Sequence, residues 1–203
     1  MATSTKSAGS AVNGSGGGSY TWSNLTEISA NDSSYVTVFG PDGWVSKDLD
    51  CTNFGFSIPA GSTIDGIEVK IERYGSFVSD TSIKLLNGDG AGGESSQEKS
   101  TGASWSSTES VITFGGSTDT WGETWSVSDI NSSNFGVRIQ CQDSVAFDFQ
   151  TGSAQIDHVE IVVHYTAVAS SDVAKYGSSA SSAVHFGSSE VIKIYHGTQT
   201  IYG

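Results

Sequence analysis

Short runs of alternating apolar and polar residues, separated by glycine, serine and aspartate, fill most of this sequence between residues 20 and 165. In the clearest run, TIDGIEVKIER, the apolar residues Ile67, Val69 and Ile71 alternate with charged residues. A period of two places successive side chains on opposite faces of an extended strand, so that one face is buried and the other meets solvent. The pattern therefore restricts this part of the chain to half-buried strands.

Two further segments, NFGVRIQC and DHVEIVVHY, show the same alternation. The residues predicted to point inward are Phe135, Val137, Ile139, Cys141, Val159, Ile161, Val163 and Tyr165, and those predicted to point outward are His158, Glu160 and His164. Weaker strands are predicted at 54–58, 82–86, 110–114 and 144–149, with edge strands in TWSNL and YVTVF. Roughly eight to ten short strands without an interposed helix predict an all-β fold, an antiparallel β-sandwich of jelly-roll type.

The composition favours strands and excludes several classes of protein. With 25 Gly, one Met and no long Leu- or Ala-rich stretch, the chain has few strong helix formers. A formal charge of −13 repels phosphate, which argues against direct nucleic-acid binding, and no apolar run is long enough to span a membrane. The first twenty residues lack the apolar segment of a signal peptide, so we expect the protein to fold in the cytoplasm where it is made.

The two ends of the chain differ from its middle. Residues 1–18 are rich in Ser, Gly and Ala and predict a flexible N-terminal arm, either disordered or ordered against a neighbouring subunit. Residues 19–166 form the predicted sandwich domain. Residues 167–203 begin with a small-residue linker and continue as a ten-residue repeat, predicted to form β-arms.

The repeat is marked by glycines at 177, 187 and 197, each preceded by a ring-bearing residue. A single β-ribbon of this length is only marginally stable in water, but stacking on another chain would satisfy its backbone and its apolar residues. The repeat therefore predicts docking or oligomerisation, with a homotrimer as the expected state. Aromatic and apolar residues dominate interfaces, and the residues predicted to form this one are Tyr176, Phe186, Ile194, Tyr195, Ile201 and Tyr202.

No catalytic motif stands out. Cys51 and Cys141 are interpreted as two buried free thiols, with a late-forming disulfide as the alternative. His158 and His164 would lie about 20 Å apart on one strand, too far to share a metal ion. The carboxylate pairs Asp48 with Asp50 and Asp143 with Asp148 are interpreted as a solvated acidic surface rather than a glycosidase pair.

One loop is a weak candidate for calcium. The segment NGDGAGGE offers Asn87, Asp89 and Glu94 as oxygen ligands within a glycine-rich loop. It lacks the regular ligand spacing of known calcium loops, so a simple hairpin turn is the preferred interpretation.

Three tryptophans are candidates for a ligand face. Trp121 and Trp125 lie close together in a predicted loop, and Trp105 precedes them. Exposed rings would stack on sugar rings, which would make a glycan the partner. Buried rings would instead pin a long loop to the core, because tryptophan is highly buried on average. We prefer pinning.

Three segments resemble β-sandwich domains of tailed-bacteriophage virion proteins. They are FGFSIPAGSTIDGIEVKIER, FGGSTDTWGETWSVSDINSSNFGVRIQ and AQIDHVEIVVHYT, and their motifs fall within 54–71, 115–122 and 156–165. The terminal IKIYHGTQTIYG is similar to the Lys-x-Tyr-x-Gly-Ser/Thr repeats at the ends of phage structural proteins. These motifs are mostly strand and turn residues, and no catalytic residue comes with them.

The resemblance implies a non-enzymatic virion protein with other virion proteins as partners. A short chain with one sandwich and pairing-prone ends fits a head decoration or cement protein that binds the major capsid protein. The alternative is a tail or tail-fibre component that binds tail proteins and contacts a host-surface carbohydrate or receptor.

Overall fold

Two antiparallel sheets enclose a common core in the computed structural model, which describes residues 1–89, 93–144 and 150–168 and four short strands between 185 and 201. The first sheet contains β1 (Ala2–Ser7), β3 (Val36–Gly40), β5 (Thr63–Ser76), β7 (Ser110–Gly116) and β9 (Gly152–Thr166). The second sheet contains β2 (Ser10–Gly17), β4 (Lys47–Thr52), β6 (Val78–Leu86) and β8 (Gly136–Asp143). The prediction of an all-β antiparallel sandwich is confirmed.

The long central strands organise the two sheets. In the first sheet the order is β1-β9-β5-β7, and β3 also pairs with β9. In the second sheet the order is β2-β4-β8-β6. Residues 1–168 form one compact unit and residues 169–203 form another. In the second unit β10 (His185–Phe186) pairs with β11 (Ser189–Glu190), and β12 (Ile194–His196) pairs with β13 (Gln199–Ile201).

The predicted inward residues of β5, β8 and β9 form the core. Val69 of β5 lies opposite Ile161 of β9, and both are fully buried. Ile67, Ile71, Phe135, Val137, Ile139, Cys141, Val159 and Val163 are fully buried as well, and Tyr165 packs against the core while partly exposed. The period-two prediction is thus confirmed where the strands are longest. The strands predicted at 82–86 and 110–114 and in YVTVF also form, as parts of β6, β7 and β3.

The strand predicted at 54–58 does not form. Phe54, Phe56 and Ile58 are buried as a strand face would be. The φ angles of 59° at Asn53 and 68° at Gly55 nevertheless take the backbone out of the extended region and prevent a ladder. The Asn131 side chain replaces a neighbouring strand, accepting from the Ile58 amide at 2.7 Å and donating to the Ile58 carbonyl at 2.9 Å.

The predicted edge strand TWSNL is replaced in the same way. The side chain of Asn13 accepts from the backbone amide of Trp22 at 2.8 Å and donates to its carbonyl at 2.9 Å. A 3-10 helix, Leu25–Ser29, follows. Of the strand predicted at 144–149, residues 145–149 lie outside the described residues.

The expectation of a flexible N-terminal arm at 1–18 is wrong. Strand β1 pairs with residues 160–165 of β9, and β2 pairs with β4 in the other sheet. The chain crosses between the sheets at Ala8 and Gly9, where a Cβ on Gly9 would lie 2.5 Å from the Asn53 carbonyl. Pairing at a sheet edge uses backbone groups, so polar side chains do not prevent it.

Short helices also occur, although the strand pattern predicted none. Helix α1 (Val127–Asn131) begins at Ser126, whose hydroxyl accepts from the Asp129 amide while the Asp129 carboxylate accepts from the Ser126 amide. This reciprocal capping stabilises a single helical turn. None of the helices among the described residues has the length and apolar character needed to cross a membrane.

The cysteines and the two strand histidines have separate environments. Cys51 and Cys141 are buried free thiols, as the preferred interpretation predicted, and burial raises the pKa of both. On β9, the Nε2 atom of His158 lies 2.8 Å from Ser7 Oγ, and that of His164 lies 2.8 Å from Glu68 Oε1. The two imidazoles therefore contact different groups.

Candidate functional sites

Four of the six predicted assembly residues fall on the short strands between 185 and 201. Phe186 lies on β10, Ile194 and Tyr195 lie on β12, and Ile201 lies on β13. The register places Ile194 opposite Ile201 and Phe186 opposite Ser189. Tyr176 and Tyr202 lie outside the described residues.

Trp105 does not form an exposed ligand face. Its side chain is buried, and its Nε1–H donates to Asp80 Oδ1 at 3.0 Å. The guanidinium of Arg73 lies 4.2 Å from the centre of the ring and forms a bidentate ion pair with Asp80. The indole thus fixes the segment after β6 to a buried ion pair.

Trp121 and Trp125 are buried as well. Trp121 Nε1–H donates to the Ile67 carbonyl at 2.9 Å, which joins its loop to β5. Trp125 Nε1–H donates to the Thr120 carbonyl at 2.8 Å, and its ring packs edge-on against Phe135 at 5.5 Å. The alternative of an exposed ligand face at Trp105, Trp121 and Trp125 is therefore wrong. These rings pin loops to the core, as the preferred interpretation predicted for Trp121 and Trp125, and their N–H groups donate to partners within the chain.

The predicted calcium residues do meet in one cavity. Asn87, Asp89 and Glu94 line a space of about 230 Å³. The lining is completed by Glu123, Thr124, Trp125 and Asp129. The loop before α1 thus contributes Glu123 and α1 itself contributes Asp129, two carboxylates that the sequence spacing did not suggest. We refer to this space as the acidic pocket.

Much of the negative charge in the acidic pocket is already compensated. Glu94 accepts from Lys84 at 3.0 Å and from Arg138 at 2.5 Å. Burial alone would raise the pKa of Glu94, but these two cations outweigh it and hold the pKa below its usual value. Glu123 accepts from the Ser96 amide at 2.8 Å, and Asp129 caps α1. Calcium binding by Asn87, Asp89 and Glu94 stays a prediction.

The carboxylates Asp48 and Asp50 are not arranged as a catalytic pair. Asp50 accepts two hydrogen bonds from Arg138, at 2.6 and 2.7 Å. Asp48 is buried beside the same guanidinium, and this burial raises its pKa although Arg138 acts in the opposite direction. The two acids and the arginine form an ion-pair network across β4 and β8. Asp148 lies outside the described residues.

Comparison with known proteins adds little to these sites. No protein-family model matches the sequence, and no curated protein matches it. Among solved structures, the chain is similar to the CBM22-1 xylan-binding domain from Paenibacillus barcinonensis Xyn10C, with a TM-score of 0.41 and 11% identity. That similarity covers 80% of this chain and 94% of the domain. A likeness at this level carries no argument about what this chain binds.

Proposed function

We propose that this chain is a non-enzymatic structural protein of a tailed-phage virion, a capsid decoration protein that binds neighbouring capsid subunits and stabilises them. The observation that carries the proposal is the pair of short hairpins, β10–β11 and β12–β13, in a compact unit of their own. The sandwich would supply an acidic body folded in the host cytoplasm, and the hairpins would supply contact with other subunits.

The size of the hairpins supports this role. Two residues of β10 pair with β11, and three residues of β12 pair with β13. A two-stranded ribbon is marginally stable at best, whereas its unpaired edges offer backbone donors and acceptors to another chain. Because the unit is repeated, several weak contacts made at once would give strong overall binding.

The structure changes which end of the chain is available for assembly. Strands β1 and β2 are paired within the sandwich, so the N-terminal segment has its backbone partners in its own subunit. We therefore assign the inter-subunit contacts to the C-terminal repeats. The contact residues would be Tyr176, Phe186, Ile194, Tyr195, Ile201 and Tyr202, and the expected assembly in solution is a homotrimer.

The first experiment locates the protein in intact particles by nanogold labelling and electron microscopy. Gold spread over the head supports a decoration protein bound to the major capsid protein. Gold confined to the tail contradicts that assignment and favours the tail-component alternative.

The second experiment tests the repeats themselves. A chain ending at residue 168 and a Phe186→Ser variant are compared with the full-length chain by native mass spectrometry and by incorporation into particles. The matched control is Phe39→Ser, because Phe39 is an aromatic residue of the sandwich that is 54% exposed. We expect the truncated chain to be a folded monomer that fails to incorporate into particles. The Phe186→Ser variant should form fewer oligomers and incorporate less efficiently, and the Phe39→Ser control should behave like wild type. Normal incorporation of the truncated chain would remove the basis of the proposal.

A further inference from the structure

Three carboxylates that the sequence keeps far apart converge on the first sheet. Glu72 lies on β5, Glu109 immediately precedes β7, and Asp157 lies on β9. One carboxylate oxygen from each lies within 4.8 Å of the others. We call these three residues the acidic triad.

The sheet register explains the convergence. Strand β5 pairs with both β7 and β9, and Arg73 lies opposite Ser110 on one side and Ile156 on the other. Glu72 lies opposite His158, so β9 carries one extra residue, Asp157, at this point. Such a β-bulge redirects a side chain. Here it leaves a carboxylate that is 1% exposed beside Glu72 and Glu109.

A loop between the 3-10 helix and β3 lies against the triad. The Asn31 side-chain amide donates to Glu72, and the hydroxyl of Tyr35 donates to Glu109 Oε2 at 3.4 Å. The backbone amides of Asp32 and Ser33 donate to Asp157 Oδ1 at 3.4 and 3.2 Å. These donors are neutral and mostly long, so they position the carboxylates without neutralising their charge.

Among the described residues, no basic side chain compensates the negative charge of the triad. Within residues 1–89, 93–144 and 150–168, no lysine, arginine or histidine forms an ion pair with any of the three acids. The acidic pocket differs in this respect, because Lys84 and Arg138 contact Glu94 there. Like charges at this separation repel each other strongly when they are partly removed from water.

One oxygen of the triad also has no hydrogen-bond donor in the part of the chain that the structure describes. Glu109 Oε1 is buried and has no partner among the described residues. A buried carboxylate oxygen without a donor is costly, and a bound ion or an ordered water would supply its partner. Desolvation and the nearby negative charges of Asp157 and Glu72 raise the pKa of Glu109. A cation bound between the three carboxylates would offset this repulsion.

We propose that Glu72, Glu109 and Asp157 bind one divalent cation of calcium type. Calcium accepts oxygen ligands at about 2.3–2.6 Å in flexible geometry, so two oxygens on one ion lie no more than about 5 Å apart. The triad satisfies this limit, and the ion would give Glu109 Oε1 its partner. Because Asn31, Tyr35 and the amides at 32 and 33 hold the same carboxylates, the ion would tie this loop to three strands. The site does not depend on the proposed role in the virion.

The test measures Ca²⁺ binding to the full-length protein after chelator treatment. Isothermal titration calorimetry gives affinity and stoichiometry, Tb³⁺ luminescence with Ca²⁺ competition gives an independent readout, and thermal unfolding reports the shift on binding. We expect one strong site and a higher Tm with Ca²⁺. Glu109→Gln should weaken binding by at least about tenfold, which is the loss seen when groups that only support a metal ligand are removed.

Two further variants make the result decisive. Asp157→Asn should weaken binding as Glu109→Gln does, and Glu123→Gln, which alters the acidic pocket instead, should retain wild-type affinity. Without Ca²⁺, Glu109→Gln should be at least as stable as wild type, since it relieves repulsion, and this separates lost binding from misfolding. Absence of Ca²⁺ and Tb³⁺ binding in wild type would overturn the proposal. Loss of binding in Glu123→Gln alone would also overturn it and place the ion in the acidic pocket.

Discussion

Replacing Asp80 by asparagine tests how the Trp105 segment is held. The side chain of Asp80 is fully buried and that of Arg73 is 6% exposed, so the substitution leaves a cation in the core without its counter-charge. Removing one partner of a buried ion pair typically costs about 3–5 kcal/mol. Asparagine retains an oxygen that can accept from the Trp105 indole, so most of the lost stability would come from the unpaired charge of Arg73. For a domain of this size, the loss corresponds to a fall in Tm of about 6–20 °C.

The assay measures unfolding in urea, with tryptophan fluorescence as the readout. The double variant Arg73→Met with Asp80→Asn should recover most of the lost stability, because replacing a buried pair by groups without charge is often close to neutral. Glu160→Gln is the matched control: its ion pair with Lys70 at 2.9 Å is partly exposed and should be worth less than about 1 kcal/mol. A loss below about 1 kcal/mol for Asp80→Asn, or a double variant as unstable as the single one, would refute this reasoning.

Three other predictions concern packing and pH. Phe135→Ala should destabilise the fold by about 3–5 kcal/mol, because the ring is fully buried against two other aromatic rings; urea unfolding measures this. Gly136→Ala should cost more than about 1 kcal/mol in the same assay, since its Cβ would lie 1.9 Å from the Cys51 carbonyl. Glu109 has a raised pKa in the folded state, so without Ca²⁺ its contribution to stability is greatest below its ordinary pKa of 4.5 and falls as pH rises through the folded value. Glu109→Gln should abolish that fall in a pH series of unfolding curves; an unchanged pH dependence would contradict the assignment.

The strongest sequence predictions were those that rest on a long run with a period of two. Strands β5, β8 and β9 bury the residues that alternation selects, because each side chain's face follows from the pleat alone. Segment 54–58 has the same alternation and the same buried residues but no ladder. Positive φ at Asn53 and Gly55 and an amide from the distant Asn131 decide its structure, and a local pattern contains neither.

The N-terminal segment shows the opposite limitation. Its composition lacks the apolar residues that mark a strand, yet β1 and β2 are strands of six and eight residues that pair with β9 and β4. Edge pairing depends on backbone groups and on the presence of a partner strand, so side-chain composition underestimates it. The tryptophans allow two interpretations for a similar reason: the sequence does not reveal whether Trp105 contacts Asp80 or solvent.

Residue patterns alone establish that this chain is built from antiparallel strands, which faces of the long strands are buried, and where a ten-residue repeat begins. Which charges meet depends instead on how the strands and loops pack in three dimensions. This packing joined Asn87, Asp89 and Glu94 with Glu123 and Asp129 in the acidic pocket, and it brought two cations to Glu94. It also assembled Glu72, Glu109 and Asp157, because strand register and one β-bulge bring together residues that are dozens of positions apart.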